Sequence, residues 1–380
     1  MATPTGGISL FTRLCTHLRK HAPEIKSLTL LTEDPAPVAE DVEVIFMKPR
    51  VAGIFPALGM PLRNIDYWWY IRKLQQQRPI DVVLFTNTIF GIMTAALLRP
   101  ELTTVGMVND SQGVRPAGIK NSAVYHRLRG RMFGMLERLS LMVHDSVLVN
   151  SEYLRDVMRK TYGYQGNNLH LLYKSVDVEA IPFRIRPIHP GRRVSVLFVK
   201  SDPVGGGMDR LLAALSVVTT VTVSLTIVGP GQDHQKWIRH LNLGGIPLRF
   251  TGRLDPRGVS ELMQECDLLC VPSYQEALGV ANLEALAHGL PVVYVPVDGV
   301  PEVMQNGRHG WEATDGTPIA IARAIEDCVS NEEKRTRKSE QGRTYVERHF
   351  AKEVMLKRLA ELLSGSRSAA VADTLENYHP

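Results

Sequence analysis

Apolar residues along this chain recur in two alternating patterns. Short, nearly continuous aliphatic runs are separated by stretches in which apolar positions return every three or four residues. The first kind fits strands buried on both faces, the second amphipathic helices. SLTLLT (27–32), VEVIFM (42–47), DVVLFT (81–86), TTVGMVND (103–110) and SVLVN (146–150) form one series of strand candidates. VSVLFVK (194–200), VSLTIVG (223–229), LRFTG (248–252), LLCVPS (268–273) and PVVYVP (291–296) form another. Helical stretches such as Asp209–Val218 and Glu332–Arg348 separate many of them. The alternation predicts parallel sheets covered by helices on both faces.

Length divides this pattern in two. A chain of 380 residues favours two domains over one. IPFRIRPIHPGRRVS (181–195), with Pro182, Pro187 and Pro190, reads as the linker. The expected layout is a Rossmann-like domain over 1–185 and a second over 191–345. A helix at 346–363 is expected to pack back on the first domain, followed by a small, polar, mobile tail at 364–380. The fold class is α/β, with two doubly wound domains and a cleft between them.

Composition narrows the classes. Hydrophobic residues make up 44% and charged residues 22%, as in a globular protein. No run of ~20 apolar residues is present to span a membrane. The start, MATPTGGISL, lacks the basic-then-apolar order of a secretory signal, so a cytoplasmic location is expected. Cys266 and Cys270, in ECDLLCVPS, read as buried reduced thiols, because no histidine or second cysteine pair completes a metal site.

The net charge of +5 is uneven. YHRLRGRMFGMLERLSLM (125–142) gathers Arg127, Arg129, Arg131 and Arg138 among apolar residues. Two readings stay open: a solvated helix face, or a patch facing anionic lipid or an anionic substrate. The lipid reading would place the protein peripherally on the inner membrane face. No nucleic-acid recognition motif accompanies the charge, and nucleic acid is not expected as a partner. IDYWWYIRKL (65–74) offers aromatic rings either to a sugar or to a core.

The candidate chemistry concentrates in SYQEALGVANLEALAHGLPVV (273–293). A helix is predicted from about Leu278 to Gly289, with Pro291 beyond its end. Val280, Glu284 and Ala287 share one stripe of it, so Glu284 is a carboxylate among apolar neighbours. Such a carboxylate needs a partner, either an arginine or the hydroxyls of a ligand. Glu276 precedes the helix, and Gly279 permits close backbone approach. The N–H groups at Leu278, Gly279 and Val280 would form an anion site at the helix start. One element thus offers a carboxylate, a phosphate cradle and a second carboxylate. Its two acids stand ~12 Å apart if the span is helical.

The wider stretch PSYQEALGVANLEALAHGLPVVYVPVDGVPEVMQNGRHGW (272–311) resembles the hallmark of the retaining family 4 glycosyltransferases, which have the GT-B fold. The resemblance extends to LTIVGPGQDHQKWIRHL (225–241), LRFTGRLDPRGVSELMQECDLLCVPS (248–273), DSVLVNSEYLRDVMRKTYG (145–163) and LLYKSVDVEAIPF (171–183). TGGISLFTRLCTHLRKH (5–21) looks like the family's glycine loop and first helix. The resemblance implies a metal-independent hexosyl transfer from a nucleotide-diphosphate sugar, with UDP favoured over GDP, to an acceptor hydroxyl bound by the N-terminal domain. The acceptor classes implied are a glycan, a lipid-linked sugar or a small molecule. No cofactor is implied beyond the substrate. Glu276 would contact the transferred sugar and Glu284 the ribose. Leu278, Gly279 and Val280 would hold the diphosphate, approached by Gly6 and Gly7, while Arg253 is placed near the base or simply on the surface.

Three departures stand out. The family's phosphate-binding Arg and Lys fall at Ser201 and Gly206 in VKSDPVGGGMDRLL (199–212). Lys200 and an amide nest at Gly205–Gly207 could replace them, or be an ordinary strand end and a flexible turn. In MVNDSQG (107–113) the family's His-Asp pair becomes Asn109 and Asp110. Asn109 keeps a hydrogen bond to a sugar hydroxyl but no proton shuttle, and a turn-forming Asn-Asp is the alternative. Third, only MATPT precedes the glycine loop, so the strand that normally opens such a sheet is expected to be missing, which would expose two strand edges. A binding or regulatory subunit with weak or no catalysis is the second functional reading. A nicotinamide oxidoreductase is the third and fares badly, because VGPGQDH places His234 where a dinucleotide fingerprint needs glycine.

Overall fold

The computed structural model of the chain describes residues 27, 29–32, 43–47, 59–98, 101–110, 124–189 and 191–365. The expected missing strand and the glycines Gly6 and Gly7 lie outside the described residues, as does the tail beyond 365. Packing divides the chain into two units, Met1–Tyr173 with Glu353–Pro380, and Lys174–Lys352.

In the first unit, β1 (Thr29–Thr32) and β2 (Glu43–Phe46) form a parallel pair. Helix α1 (Gly59–Gln77) follows, then β3 (Val82–Phe85), α2 (Ile92–Leu98), β4 (Thr103–Val108), α3 (Val124–Val143), β5 (Ser146–Val149), α4 (Glu152–Asp156) and β6 (Leu169–Leu171). Strands β3, β4, β5 and β6 lie side by side in that order, all parallel. Two aromatic residues of α1, both half-buried, pack against the core. Tyr67 stacks on Phe90 at 5.6 Å and meets Phe85 edge-on at 6.1 Å, and Trp68 packs in the same cluster.

The second unit holds β7 (Val194–Val199), α5 (Met208–Val217), β8 (Val223–Val228), α6 (Gln232–Leu241), β9 (Leu248–Gly252), α7 (Pro256–Glu265), β10 (Leu268–Cys270), α8 (Val280–His288), β11 (Val292–Tyr294), α9 (Val300–Met304), β12 (Trp311–Glu312), α10 (Pro318–Ser330) and α11 (Glu332–His349). Its strands run parallel in the order β12-β11-β10-β7-β8-β9. Val196, Leu197, Phe198, Leu268, Leu269 and Cys270 are wholly buried, which explains their uninterrupted apolar sequence. Cys266, Cys270 and Cys328 are free, buried thiols whose pKa values burial pushes up. The chain then returns as α12 (Lys352–Gly365), whose Met355, Leu356 and Leu359 pack on Val105, Leu148 and Leu172 of the first unit.

The division falls earlier than the proline-rich stretch suggests. Arginines fasten that stretch to the second unit. Arg343 donates to the carbonyls of Val178, Ile181 and Ala287, and the N–H of Arg184 donates to His288 O at 2.9 Å. Arg192 pairs with the buried carboxylate of Asp267. Prolines remove backbone donors, but these carbonyls and side chains supply anchors that composition does not reveal. Strands β6, of three residues, and β12, of two, also escaped the aliphatic pattern.

Candidate functional site at the strand crossover

Strand order in the second unit reverses between β7 and β10. From β7 the chain winds outward through β8 and β9, then crosses back to place β10 on the other side of β7. In open α/β sheets, the loops leaving two such strands diverge and leave a crevice at their carboxyl ends, the usual ligand position. Lys200 leaves β7 there, and the loop carrying Ser273 and Glu276 leaves β10.

These two loops meet through side chains. Lys200 Nζ lies 2.6 Å from Glu276 Oε2, and also donates to Ser273 Oγ at 3.1 Å and to Gln275 O at 3.4 Å. Glu276 is held by its backbone too. Its N–H donates to Asp298 Oδ2 at 2.9 Å, and its carbonyl accepts from Gly299 N at 3.2 Å. Asp298 has φ of 51°, a left-handed conformation that aspartate tolerates better than most residues. Its role escaped the sequence reading, although the Asp-Gly pair at 298–299 is a turn signal that could have marked this bend.

Gly279 caps α8 with φ of 86° and no side-chain cap. That backbone conformation is one L side chains rarely adopt, and a Cβ there would also sit 2.8 Å from Asn282 Nδ2, while Glu276 Cγ at 3.5 Å would be in ordinary contact. The N–H groups of Leu278, Gly279 and Val280 find no acceptor among the described residues. They are the orphan donors of a helix start, favourable to an anion. Glu284 stands one turn into α8 and is half-buried. At the far end, His288 donates through Nδ1 to Glu284 O at 2.7 Å, its Nε2 lies 2.7 Å from Ser260 Oγ, and burial lowers its pKa.

The glycine run does not form the anion nest considered above. Val204 N and Gly205 N both donate to Asp202 Oδ1 at 3.1 Å. Gly206 N donates to Asp202 O, Gly207 N to Val204 O and Met208 N to Pro203 O. Asp202 already occupies the nest as its own anion, so Gly206 offers no amide to a phosphate. Its smallness serves packing. A Cβ on Gly206 would lie 2.6 Å from Phe198 Cζ and 3.1 Å from Lys200 Cδ. Phe198 is fully buried, so a side chain at 206 would strain the core, and the Lys200 stem runs across that bare surface.

The remaining candidates are placed apart. Ser201 is exposed beside Lys200. Arg253 is exposed after β9, two strands from β7, or about 10 Å across the sheet. Asn109 and Asp110 follow the carboxyl end of β4 in the first unit. Asn109 Nδ2 donates to Thr86 O at 2.7 Å, and Asn109 O accepts from Asn150 Nδ2 at 2.9 Å. Asn109 thus joins the ends of β3, β4 and β5. Tyr274 was overlooked by sequence: its N–H donates to Gly205 O at 2.9 Å, its hydroxyl donates to Asp209, and Arg210 lies 3.6 Å over its ring, tying the two crossover loops together.

Residues 183–345 match the family described as Glycosyl transferases group 1, and residues 5–180 match Glycosyltransferase Family 4. Phosphatidyl-myo-inositol mannosyltransferase of Mycobacterium leprae is 32% identical over 167 residues, covering 42% of this chain and 44% of that protein. N-acetyl-alpha-D-glucosaminyl L-malate synthase of Bacillus anthracis is 30% identical over 148 residues, 38% of each. The matched region spans under half the length of these curated relatives. Among solved structures, sucrose-phosphate synthase from Thermosynechococcus elongatus superposes with a TM-score of 0.80 at 17% identity, covering 96% of this chain and 95% of that one. Anabaena HepE in complex with UDP and glucose gives 0.72 at 16%, covering 96% and 97%. The fold is GT-B.

Proposed function

The chain belongs to glycosyltransferase family 4, and on that premise we propose that it moves a sugar, with retention at the anomeric carbon, from a nucleotide-diphosphate sugar to an acceptor hydroxyl. The observation that carries this reading is the pairing of Lys200 with Glu276 beside the orphan amides of Leu278, Gly279 and Val280, at the strand crossover. The amides take the diphosphate, and Lys200 adds the cation that Ser201 and Gly206 do not. Glu276 accepts from hydroxyls of the transferred sugar, and Glu284 from those of the ribose. Gly6 and Gly7, Arg253 and the pair Asn109 and Asp110 keep the roles the family resemblance implies as further candidates.

The acceptor oxygen forms its bond to the anomeric carbon on the face from which the diphosphate departs. The carbon–oxygen bond to the phosphate breaks, and the acceptor proton passes to a phosphate oxygen of the leaving group. Amide dipoles and Lys200 stabilise the negative charge that develops there, so the step needs no metal. UDP is the preferred carried nucleotide, in line with the UDP and glucose held by Anabaena HepE. A lipid or lipid-linked acceptor fits the naming of the Mycobacterium leprae relative, and peripheral contact with an anionic membrane belongs to the same reading.

The test couples calorimetry of UDP and GDP binding with turnover across a panel of nucleotide sugars in excess chelator. UDP binding, sugar transfer in chelator, and a loss of ~1–3 kcal/mol of UDP affinity in Glu284→Gln support the reading. Binding without transfer on any donor and acceptor makes the chain a binding subunit. Transfer lost in chelator and restored by magnesium or manganese overturns the metal-independent step.

A further inference from the structure

Ten large hydrophobic side chains are exposed among the described residues, and three of them stand on one helix. Met135 is 65% exposed, Leu139 41% and Met142 64%, all on α3. With Arg131 and Arg138, both exposed, they follow the spacing i, i+4, i+7, i+8 and i+11. On a helix of 3.6 residues per turn these five positions fall within an arc of ~100°. The opposite face is the one packed inward: Phe133, Glu137, Ser140 and Leu141 are buried.

The charge on this helix is sorted as well. Its one acidic residue, Glu137, is 3% exposed and accepts from Tyr162 Oη at 2.5 Å, so it is turned away from the outward arc. The outward arc therefore combines long, flexible apolar side chains with guanidinium groups and no carboxylate. A solvated helix face carries polar residues at such positions, and a structural face buries its methionines. This arc does neither.

We propose that the outward face of α3 is a docking surface for an anionic membrane, lying in the plane of the interface with Met135, Leu139 and Met142 among the acyl chains and Arg131 and Arg138 at the lipid phosphates. Helices of this kind bind by apolar burial plus attraction to anionic headgroups. Charge selects this occupant over a second copy of the chain. An isologous dimer through the arc would bring arginines of like sign together with no acid to neutralise them. The surface deepens the membrane contact of the preceding reading, but its test needs no turnover.

The experiment is flotation of the full chain with phosphatidylcholine vesicles, with and without phosphatidylglycerol, at low salt. Partition onto the anionic vesicles alone is expected. Arg131→Ala with Arg138→Ala should reduce it ~30-fold, at about 1 kcal/mol per arginine near an anionic surface. Met135→Ser with Met142→Ser should abolish most of the remainder, since each removes apolar contact with the acyl region. All four substitutions are at exposed positions, so melting temperature and UDP affinity should stay as in the parent. Equal partition onto both vesicle types, or unchanged partition of either double variant, overturns the proposal. So does a concentration-dependent dimer in sedimentation that Met135→Ser with Met142→Ser dissociates, which would assign the face to a second copy. Vesicle binding by a chain that transfers no sugar would leave the docking surface standing and the transferase reading refuted.

Discussion

Residues that follow the carboxyl ends of parallel strands are put to opposite uses in the two units. Beyond β7 and β10, Lys200 and Glu276 face each other, and the helix-start amides next to them have no acceptor among the described residues. Beyond β4, Asn109 is engaged by the fold itself, donating to Thr86 O and accepting from Asn150. The topology accounts for part of the contrast. At the β7–β10 crossover the chain leaves toward opposite sides of β7, and the two loops are joined through Tyr274, Lys200 and Glu276, whereas β3, β4 and β5 follow one another in spatial order and Asn109 stitches their ends. A polar residue at a strand end is therefore a stronger candidate for ligand contact where the sheet order reverses.

The contrast is tested most severely at Glu276. Its carboxylate should matter chiefly while charge develops on the transferred sugar. Glu276→Ala is expected to lower kcat by about 100-fold or more, the scale for losing one electrostatic partner at a reacting centre. Affinity for free UDP should change little, because the diphosphate amides remain. Steady-state kinetics with calorimetry separates the two. A variant with unchanged kcat would place Glu276 among the fold-directed residues, with Asn109.

Stability against pH probes the support beneath the site. His309 is 4% exposed, lies 3.1 Å from Gln305 Oε1 through Nε2, and stacks on Tyr345 at 4.7 Å. Burial, with Arg308 and Lys338 nearby, lowers its pKa to about 4. A histidine depressed in the fold is stabilising while neutral. Its contribution is complete above the unfolded value near 6.5 and is lost as pH falls toward 4, at up to about 3 kcal/mol. His309 donates its N–H to Met304 O at the end of α9, the helix that begins beside the Asp298–Glu276 contact. Melting temperature should fall across that window, and His309→Gln should flatten the slope. An unchanged slope would remove His309 as its source.

Lys200 and Gly206 sharpen the comparison by exchanging roles of charge and packing. Lys200→Met keeps the stem over Gly206 and removes the cation, so UDP affinity should fall by ~1–3 kcal/mol with stability retained. Gly206→Ala should instead destabilise the chain by ~1–3 kcal/mol, because its Cβ would press on buried Phe198. If Lys200→Met alters melting temperature but leaves UDP affinity intact, the lysine serves only to hold Glu276.

Much of this was legible in sequence for a physical reason. The ten short aliphatic runs lie within a few residues of ten observed strands, and the central ones, β5, β7 and β10, are buried along most of their length, which needs continuous apolar sequence. The order of Glu276, Gly279 and Glu284 showed the helix start, since Gly279 and Gly289 bracket α8 with left-handed turns. What sequence did not show depends on hydrogen bonds between segments remote in the chain. Asp202 filling its own amide nest, Asp298 reaching the N–H of Glu276, and Arg343 fastening 178–181 to α8 have no local periodicity to betray them. Nor did the glycine at 206 reveal whether it was there for a ligand or for Phe198.

The smallest expected effect is at Asn109, where the two uses of a strand end compete directly. Asn109→Ala removes the hydrogen bond to Thr86 O, which is 2.7 Å long and joins two neighbouring strands. A neutral hydrogen bond of this kind contributes about 1 kcal/mol net. The backbone contact from Asn150 survives, since it uses the Asn109 carbonyl. Stability should therefore drop by ~1 kcal/mol, measured by denaturant unfolding with an unchanged m-value. UDP affinity should not move at all. If Asn109 also reaches the transferred sugar, kcat will fall further than this loss of stability accounts for, and Asn109→Asp, which keeps an acceptor but loses the donor to Thr86, will recover activity without recovering stability. Equal loss in both variants would leave Asn109 as a residue of the fold alone.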